Sequence, residues 1–367
     1  MSRRNAKLST VLSPVMRRQK KAIVSLNDSL SRVADDSFRS ANIMGNVSSI
    51  IDEIEHDFEQ TTHLKKYDVV FLFIATALQC LRQYVIPSSA HRLSATEGDK
   101  LMENVVPKSW QEILCSSVPY DAIKVDSDFR TDIPDGTGLG GKTHRVLTLG
   151  HDPLFGWIFG TSNIISNALT KTDFVTTYKV SDMRISGSYD GSTLGMLNDC
   201  YSIIQADKIL LPIALARQAI HFGSDYFTKQ GLPLPGLASI NSEWALNLSN
   251  KFNIDMFGTM RAAALSIMIN LIISYTHSML YDKERDGSES AYEVRTRKIL
   301  SYSNVIASSS NIIYTAVSYF TGNAAGMKKF DFGGLLVTLY RLFTDRKKIS
   351  EIKKEFLTNE FYKKVNG

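Results

Sequence analysis

Ala262-Ala-Ala-Leu-Ser-Ile-Met-Ile-Asn-Leu-Ile-Ile-Ser-Tyr-Thr-His-Ser-Met-Leu-Tyr281 runs for twenty residues without a formal charge. As a helix rising 1.5 Å per residue it is about 30 Å long, the thickness of a bilayer's hydrocarbon core. The same length suits a helix enclosed on every side in a large soluble domain. Both readings predict one helix; they differ in what surrounds it.

Downstream, Asp282–Lys298 is dense in charge and reads as a connection. Ile299–Met327 then runs twenty-nine residues without a charge, threaded with serine and asparagine. The two uncharged segments look like a hairpin that enters a membrane, in which Asn270, Ser308 and Asn311 would join helices or line a water path. Gly333-Gly334 opens an amphipathic helix from Leu335, with Leu336, Leu339, Phe343, Ile349, Ile352 and Phe356 apolar and Lys347, Lys348, Lys353 and Lys354 polar. Upstream, Val69–Leu81 has thirteen uncharged residues, too few to span a bilayer, and is predicted to be a buried helix ended by Arg82, Gln83 and Pro87.

The remainder reads as helix and loop. Residues 28–66 repeat apolar residues at helical steps through Ile54 and Phe58, and 94–114 form one or two short helices broken at Pro107. A short hairpin is predicted across Val180–Met183, followed by a helix over 201–222 with Pro212 as a kink or boundary. The fold class is mainly α: a multi-helix domain with long central loops and at most a small β-hairpin. Four consecutive segments follow: a basic arm (1–27), a helical region (28–118), a glycine-rich loop (119–147) and a second helical region (148–367) with the uncharged helices and a basic C-terminal helix.

The chemistry-bearing residues gather where the loop meets the second helical region. Gly136-Thr-Gly-Leu-Gly-Gly-Lys-Thr143 satisfies the phosphate-loop expression, but the polar Asp126–Asp135 before it is no buried strand, and Gly150 and Pro153 leave little room for the helix after it. Nucleotide hydrolysis is therefore not expected; Lys142, His144 and Arg145 remain candidates for binding an anion. His151 and Asp152 precede Pro153, and the favoured role is to cap the helix that follows. The other role is metal ligation or general base chemistry, for which His221 and Asp225, four apart on one helix face, supply further groups. No metal and no cofactor is expected, and the chain reads as non-enzymatic sooner than catalytic, with a His/Asp-dependent hydrolase as an alternative. Gly156 and Gly160 form a G-x-x-x-G pair in the uncharged run Pro153–Thr170, where helix backbones can approach closely.

Composition narrows the setting. The net charge of +5 is concentrated at the ends: residues 1–27 hold seven Lys and Arg and no acid. Such ends suit phosphates or anionic lipid, or simply solvent. Three widely spaced cysteines, Cys80, Cys115 and Cys200, show no ligand spacing and suit a reducing compartment, and the polar stretch after the N-terminus is no export signal.

Residues 144–163, with their Thr148-Leu-Gly-His-Asp-Pro-Leu-Phe-Gly-Trp-Ile-Phe-Gly160 motif, and Arg295-Thr-Arg-Lys-Ile-Leu-Ser-Tyr-Ser-Asn304 resemble a bacterial family of helical proteins carried on mobile elements. The likeness is to membrane-acting effectors of anti-phage defence, of the kind partnered with a nucleotidyltransferase in the Hailong system. It covers roughly a third of the chain and its motifs are not catalytic signatures. It implies a homo-oligomer that conducts ions through the inner membrane and is restrained by an anionic nucleotide or nucleic-acid oligomer; it transfers no ligand residue. The chain is thus expected in the cytoplasm or at the inner membrane. The alternative is a soluble helical scaffold whose uncharged helices form an ordinary core.

Overall fold

The structure, a computed structural model, describes residues 45–86, 92–124 and 143–366, with some positions between 21 and 35. The chain is mainly α, as its periodicities predict. The phosphate-loop-like stretch lies outside the described residues as far as Lys142, and so does Pro87. Two units emerge, each assembled from separated pieces of chain where the sequence suggests consecutive segments. The reason is length: α13 (Glu289–Phe320) and α15 (Phe332–Asn366) are continuous helices of 32 and 35 residues whose two parts belong to different units.

The first unit comprises residues 1–64, 281–295 and 346–367. Its helix α1 (residues 45–62) buries Phe58 against Val294, Ile352 and Phe356. Buried Arg295 reaches Asp286 of α12 (Lys283–Asp286) at 3.0 Å. Much of the charged stretch 282–298 is therefore helix, and the turn between the uncharged segments is shorter than it reads.

The second unit, residues 65–280 and 296–345, has two regions. One is built around α8 (Leu210–Phe227), which α3 (Ala95–Val105), α4 (Lys108–Leu114) and α6 (Gly156–Ser166) flank. Pro107 separates α3 from α4, and Pro212 stands in the first turn of α8, where a missing N–H costs nothing. The predicted hairpin pairs β2 (Thr177–Ser181) with β3 (Arg184–Ser188) across Asp182-Met183, both at positive φ as a tight two-residue turn demands. A third strand, β1 (Ala168–Thr170), extends it to an antiparallel sheet in the order β1-β2-β3. Val118, Tyr120, Ile123, Ile164, Leu169 and Ala214 meet in an apolar core. Ser192–Ala206 (α7) packs on α6, and Leu237–Ile240 (α9) and Ser242–Lys251 (α10) carry the chain towards the other region.

That other region reverses the pattern. It consists of α2 (Lys66–Tyr84), α11 (Met256–Ser278), the part of α13 after Thr296 and the part of α15 before Arg346. Val70, Phe73, Ile74 and Leu81 of α2 face outward, with Phe73 70% exposed, while Asp68, Gln79, Arg82 and Gln83 are buried. The expected buried helix is thus corrected: its carboxylate, amides and guanidinium form the inner face and its Val, Phe and Ile the outer one. In α11, Leu271 is 64% exposed and Asn270 is 3% exposed. Ile313 and Phe343 of α13 and α15 are 65% and 76% exposed, whereas Asn304, Ser308 and Thr338 are buried. The amphipathic stripe of α15 therefore divides: Ile352 is buried in the first unit and Leu336, Leu339 and Phe343 are exposed.

Candidate functional site

The site candidates nearest the apolar core converge from three short elements and α8. The 3₁₀ turn Pro119–Lys124 supplies Asp121, α5 (Thr143–Leu147) supplies His144 and Arg145, the 3₁₀ turn Leu149–His151 supplies His151, and α8 supplies His221 and Asp225. The i, i+4 spacing on α8 puts its histidine and carboxylate side by side, His221 Nε2 lying 3.3 Å from Asp225 Oδ2. Across from them, His151 Nε2 lies 3.1 Å from Asp121 Oδ1 and 3.6 Å from Asp225 Oδ2, and His144 Nε2 lies 3.7 Å from Asp121 Oδ1. One ligand atom each from Asp121, His151 and His221 falls within 4.8 Å of the other two.

Close packing fixes these groups. Gly150 has no side chain because the Tyr120 ring occupies that space: a Cβ there would stand 2.4 Å from ring carbons. Tyr120 packs edge-on against His151 at 4.8 Å and donates its hydroxyl proton to Gln218 Oε1 at 2.7 Å. Burial raises the Tyr120 phenol well above its ordinary value, so it stays a donor. Gln218 Nε2 in turn donates to the Gly150 carbonyl at 2.8 Å. The glycine pair lies against the same glutamine: a Cβ at Gly160 would stand 2.4 Å from Gln218 Oε1, and one at Gly156 2.5 Å from Phe222. Gly156 and Gly160 are thus a tight helix–helix contact between α6 and α8.

His151 is fully enclosed, and burial pushes its imidazolium down to about 4 despite the Asp121 and Asp225 carboxylates, so the ring is neutral near pH 7. Thr148 Oγ1 lies 2.7 Å from His151 Nδ1 and 3.3 Å from the His144 carbonyl oxygen. With its single proton given to that carbonyl, the hydroxyl accepts from Nδ1–H and leaves Nε2 as a bare lone pair facing two carboxylates. With the proton given to Nδ1, Nε2 carries a proton and donates it to Asp121. Thr148 serves both tautomers.

Several expectations about these residues are revised. Arg145 is buried, and its guanidinium is held by Asp225, Thr228 Oγ1 at 2.9 Å and the Gly231 carbonyl at 2.9 Å. Its charge is spent inside the protein, where an anion-binding residue would present it. His144 is buried as well, and Lys142 lies outside the described residues. Asp152 caps the turn that leads into α6, whose own N-cap is Phe155, three residues later than its position before Pro153 predicts: Oδ1 accepts from the amides of Leu154 and Phe155 at 2.8 and 3.0 Å, and Oδ2 accepts from Gly236 at 2.7 Å. It faces away from the cluster into that loop. Asp121 was missed by sequence reasoning, since an isolated aspartate after a proline and a tyrosine carries no spacing signal.

The remaining candidates line the interior of the reversed region. Asn270 Oδ1 accepts from Asn304 Nδ2 at 2.7 Å and from Gln79 Nε2 at 3.3 Å, joining α11, α13 and α2. Ser308 meets Thr338 of α15 at 2.6 Å, and Asn311 Oδ1 accepts the amide of Asp331 at 2.8 Å. Ionisable groups flank this amide ladder: Asp68 with His277 at 2.9 Å, Arg82 with Asp331, and Asp345 with Arg297 and Arg341 at 2.9 and 3.1 Å. Asn270 and Ser308 bond between helices, whereas Asn311 bonds to the loop before α15, at Lys329 and Asp331. No protein-family model matches this chain, and neither a curated protein nor a solved structure does.

Proposed function

We propose that the chain acts at a membrane, with α2, α11 and the adjoining parts of α13 and α15 held in lipid. The supporting observation is the sidedness of these helices, with amides, hydroxyls and ion pairs inside and Phe, Leu, Ile and Val outside. Water selects the opposite arrangement, as the core around Leu169 has it. Lipid removes the cost of an apolar exterior and rewards polar groups that find partners between helices. Among the described residues α11 is long and apolar enough to cross a bilayer, and 17% of its most apolar window is buried. One such helix carries little weight; the repetition of the same sidedness on its three neighbours carries more. The α2 helix, at 19 residues, is about 28 Å long.

In the form that the resemblance implies, copies assemble in the inner membrane and pass ions, an anionic nucleotide or nucleic-acid oligomer holding the path shut. Buried charge inside a lipid-facing bundle is the material of such paths. The alternative is a soluble scaffold in which another copy covers the apolar faces.

Expression of the full chain followed by carbonate washing of the membranes tests this reading. Retention in the washed pellet, and potential-dependent dye loss from liposomes carrying the purified protein, are the expected results. A chain that stays in the supernatant as a defined oligomer favours the scaffold and ends the membrane reading.

A further inference from the structure

The geometry points to a metal centre: Asp121, His151 and His221 bind one divalent first-row transition ion, zinc foremost, with Asp225 Oδ2 and His144 beside it. Five ligand-type side chains from four separate elements meet at one place in the second unit. For bonds of about 2.1 Å, neighbouring ligand atoms around one ion stand about 3.0–3.5 Å apart. The four closest carboxylate–imidazole distances here are 3.1, 3.3, 3.6 and 3.7 Å.

A second observation is independent of those distances. Asp225 Oδ2 and His221 Nε2 are buried atoms without a hydrogen-bond partner, although they lie 3.3 Å apart. Asp225 is 4% exposed and its other oxygen is engaged by Arg145, so Oδ2 is directed into the cluster by a fixed partner. A buried carboxylate oxygen left unmatched beside imidazoles is costly unless a cation completes it.

Donor chemistry selects the ion. Imidazole nitrogen and carboxylate oxygen suit zinc, manganese, iron and cobalt, while calcium and magnesium would want oxygen throughout. Thr148 orients the His151 ring, with the hydroxyl accepting from Nδ1 so that Nε2 ligates, the usual arrangement around a metal-bound histidine. The ligands approach from the protein side. On the other side, Asp121, His144, His221 and Asp225 border a cleft of about 320 Å³ whose wall also includes Ser116 and Gln230. The ion therefore keeps a position for water or another oxygen donor, as sites that bind or transform ligands do.

The test uses the full chain, purified from whichever fraction holds it, so its outcome does not depend on the membrane reading. About one equivalent of metal per chain is expected by elemental analysis after growth with zinc. Loading with Co²⁺ should give visible absorption bands, and added phosphate should shift them. H151Q and H221Q are each expected to retain less than about a tenth of an equivalent, and T148V to bind about 10–100-fold more weakly. D225N is nearly isosteric and serves, with circular dichroism, to separate loss of metal from loss of fold; a folded D225N that no longer develops the cobalt bands supports the centre. A folded wild-type chain that takes up neither zinc nor cobalt overturns it, as do H151Q and H221Q variants that keep their full metal content. Cobalt bands indifferent to phosphate overturn the open coordination position.

Discussion

The two regions of the second unit bury different kinds of side chain. Around α8 the chain gathers Ile123, Ile164 and Leu169 in an apolar core, beside the buried polar groups Arg145, His151 and Asp225. Around α11 it places Asn270, Asn304 and Ser308 inside and leaves Leu271 and Ile313 outside. The helices of both regions follow the same backbone rules, so the contrast comes from side-chain placement alone. It teaches that absence of charge does not identify what is buried: along Ala262–Tyr281, Leu271, Ile272 and Met279 are exposed while Ser266, Asn270 and His277 are buried.

Substitutions sharpen this comparison, beginning with the ion pair at the foot of the bundle. Arg82→Met leaves Asp331 buried without its guanidinium and should destabilise the purified protein by about 3–5 kcal/mol in chemical denaturation, with Arg82→Met/Asp331→Leu recovering most of the loss. Ile267→Asp, on the exposed face of α11, should cost about 2.5–3.5 kcal/mol of membrane insertion, seen as loss from carbonate-washed membranes. At an ordinary aqueous surface the same change stays within about 0.5 kcal/mol, so an unaltered fractionation would erase the contrast between the regions. Gly150→Ala, in the water-type region, forces a methyl against the Tyr120 ring and should lower stability by about 1–3 kcal/mol in a thermal melt, with the neighbouring His151 displaced. The smallest effect is expected for Asn304→Leu: an interhelical bond in lipid averages about 0.6 kcal/mol, so a loss of several kcal/mol would mean that water is the solvent there.

Much of the helical layout is legible in the sequence. Pro107, Pro212 and the Val180–Met183 turn mark their boundaries because proline and tight-turn geometry act within a few residues. Asp152 announces its cap for the same reason. Sidedness is less legible. In Val69–Leu81 the apolar residues dominate, and only the placement of Gln79 and Arg82 on a shared face shows which side turns inward, a choice made by Asp331 and Asn270 some 190 residues or more away. The cluster was half visible: His221 and Asp225 share a face by spacing, and His144 and His151 are close in sequence, yet Asp121 joins them only through the tertiary fold. Arg145 misled because a cation near glycines suggests an anion from outside, while its partner, Asp225, lies on a distant helix.

Asp331 has a consequence for tolerance to change. Its carboxylate receives Arg82, Gln83 and the amide of Gly334, and its own amide goes to Asn311. Two side chains and a turn thus agree on the position of two oxygen atoms, in the loop before α15. Glutamate preserves the charge and adds one methylene, which carries those oxygens beyond the reach of Gly334 and pushes back on Arg82. A change that looks harmless on paper would therefore be felt on α2, α13 and α15 together, and aspartate is the one acid whose length fits.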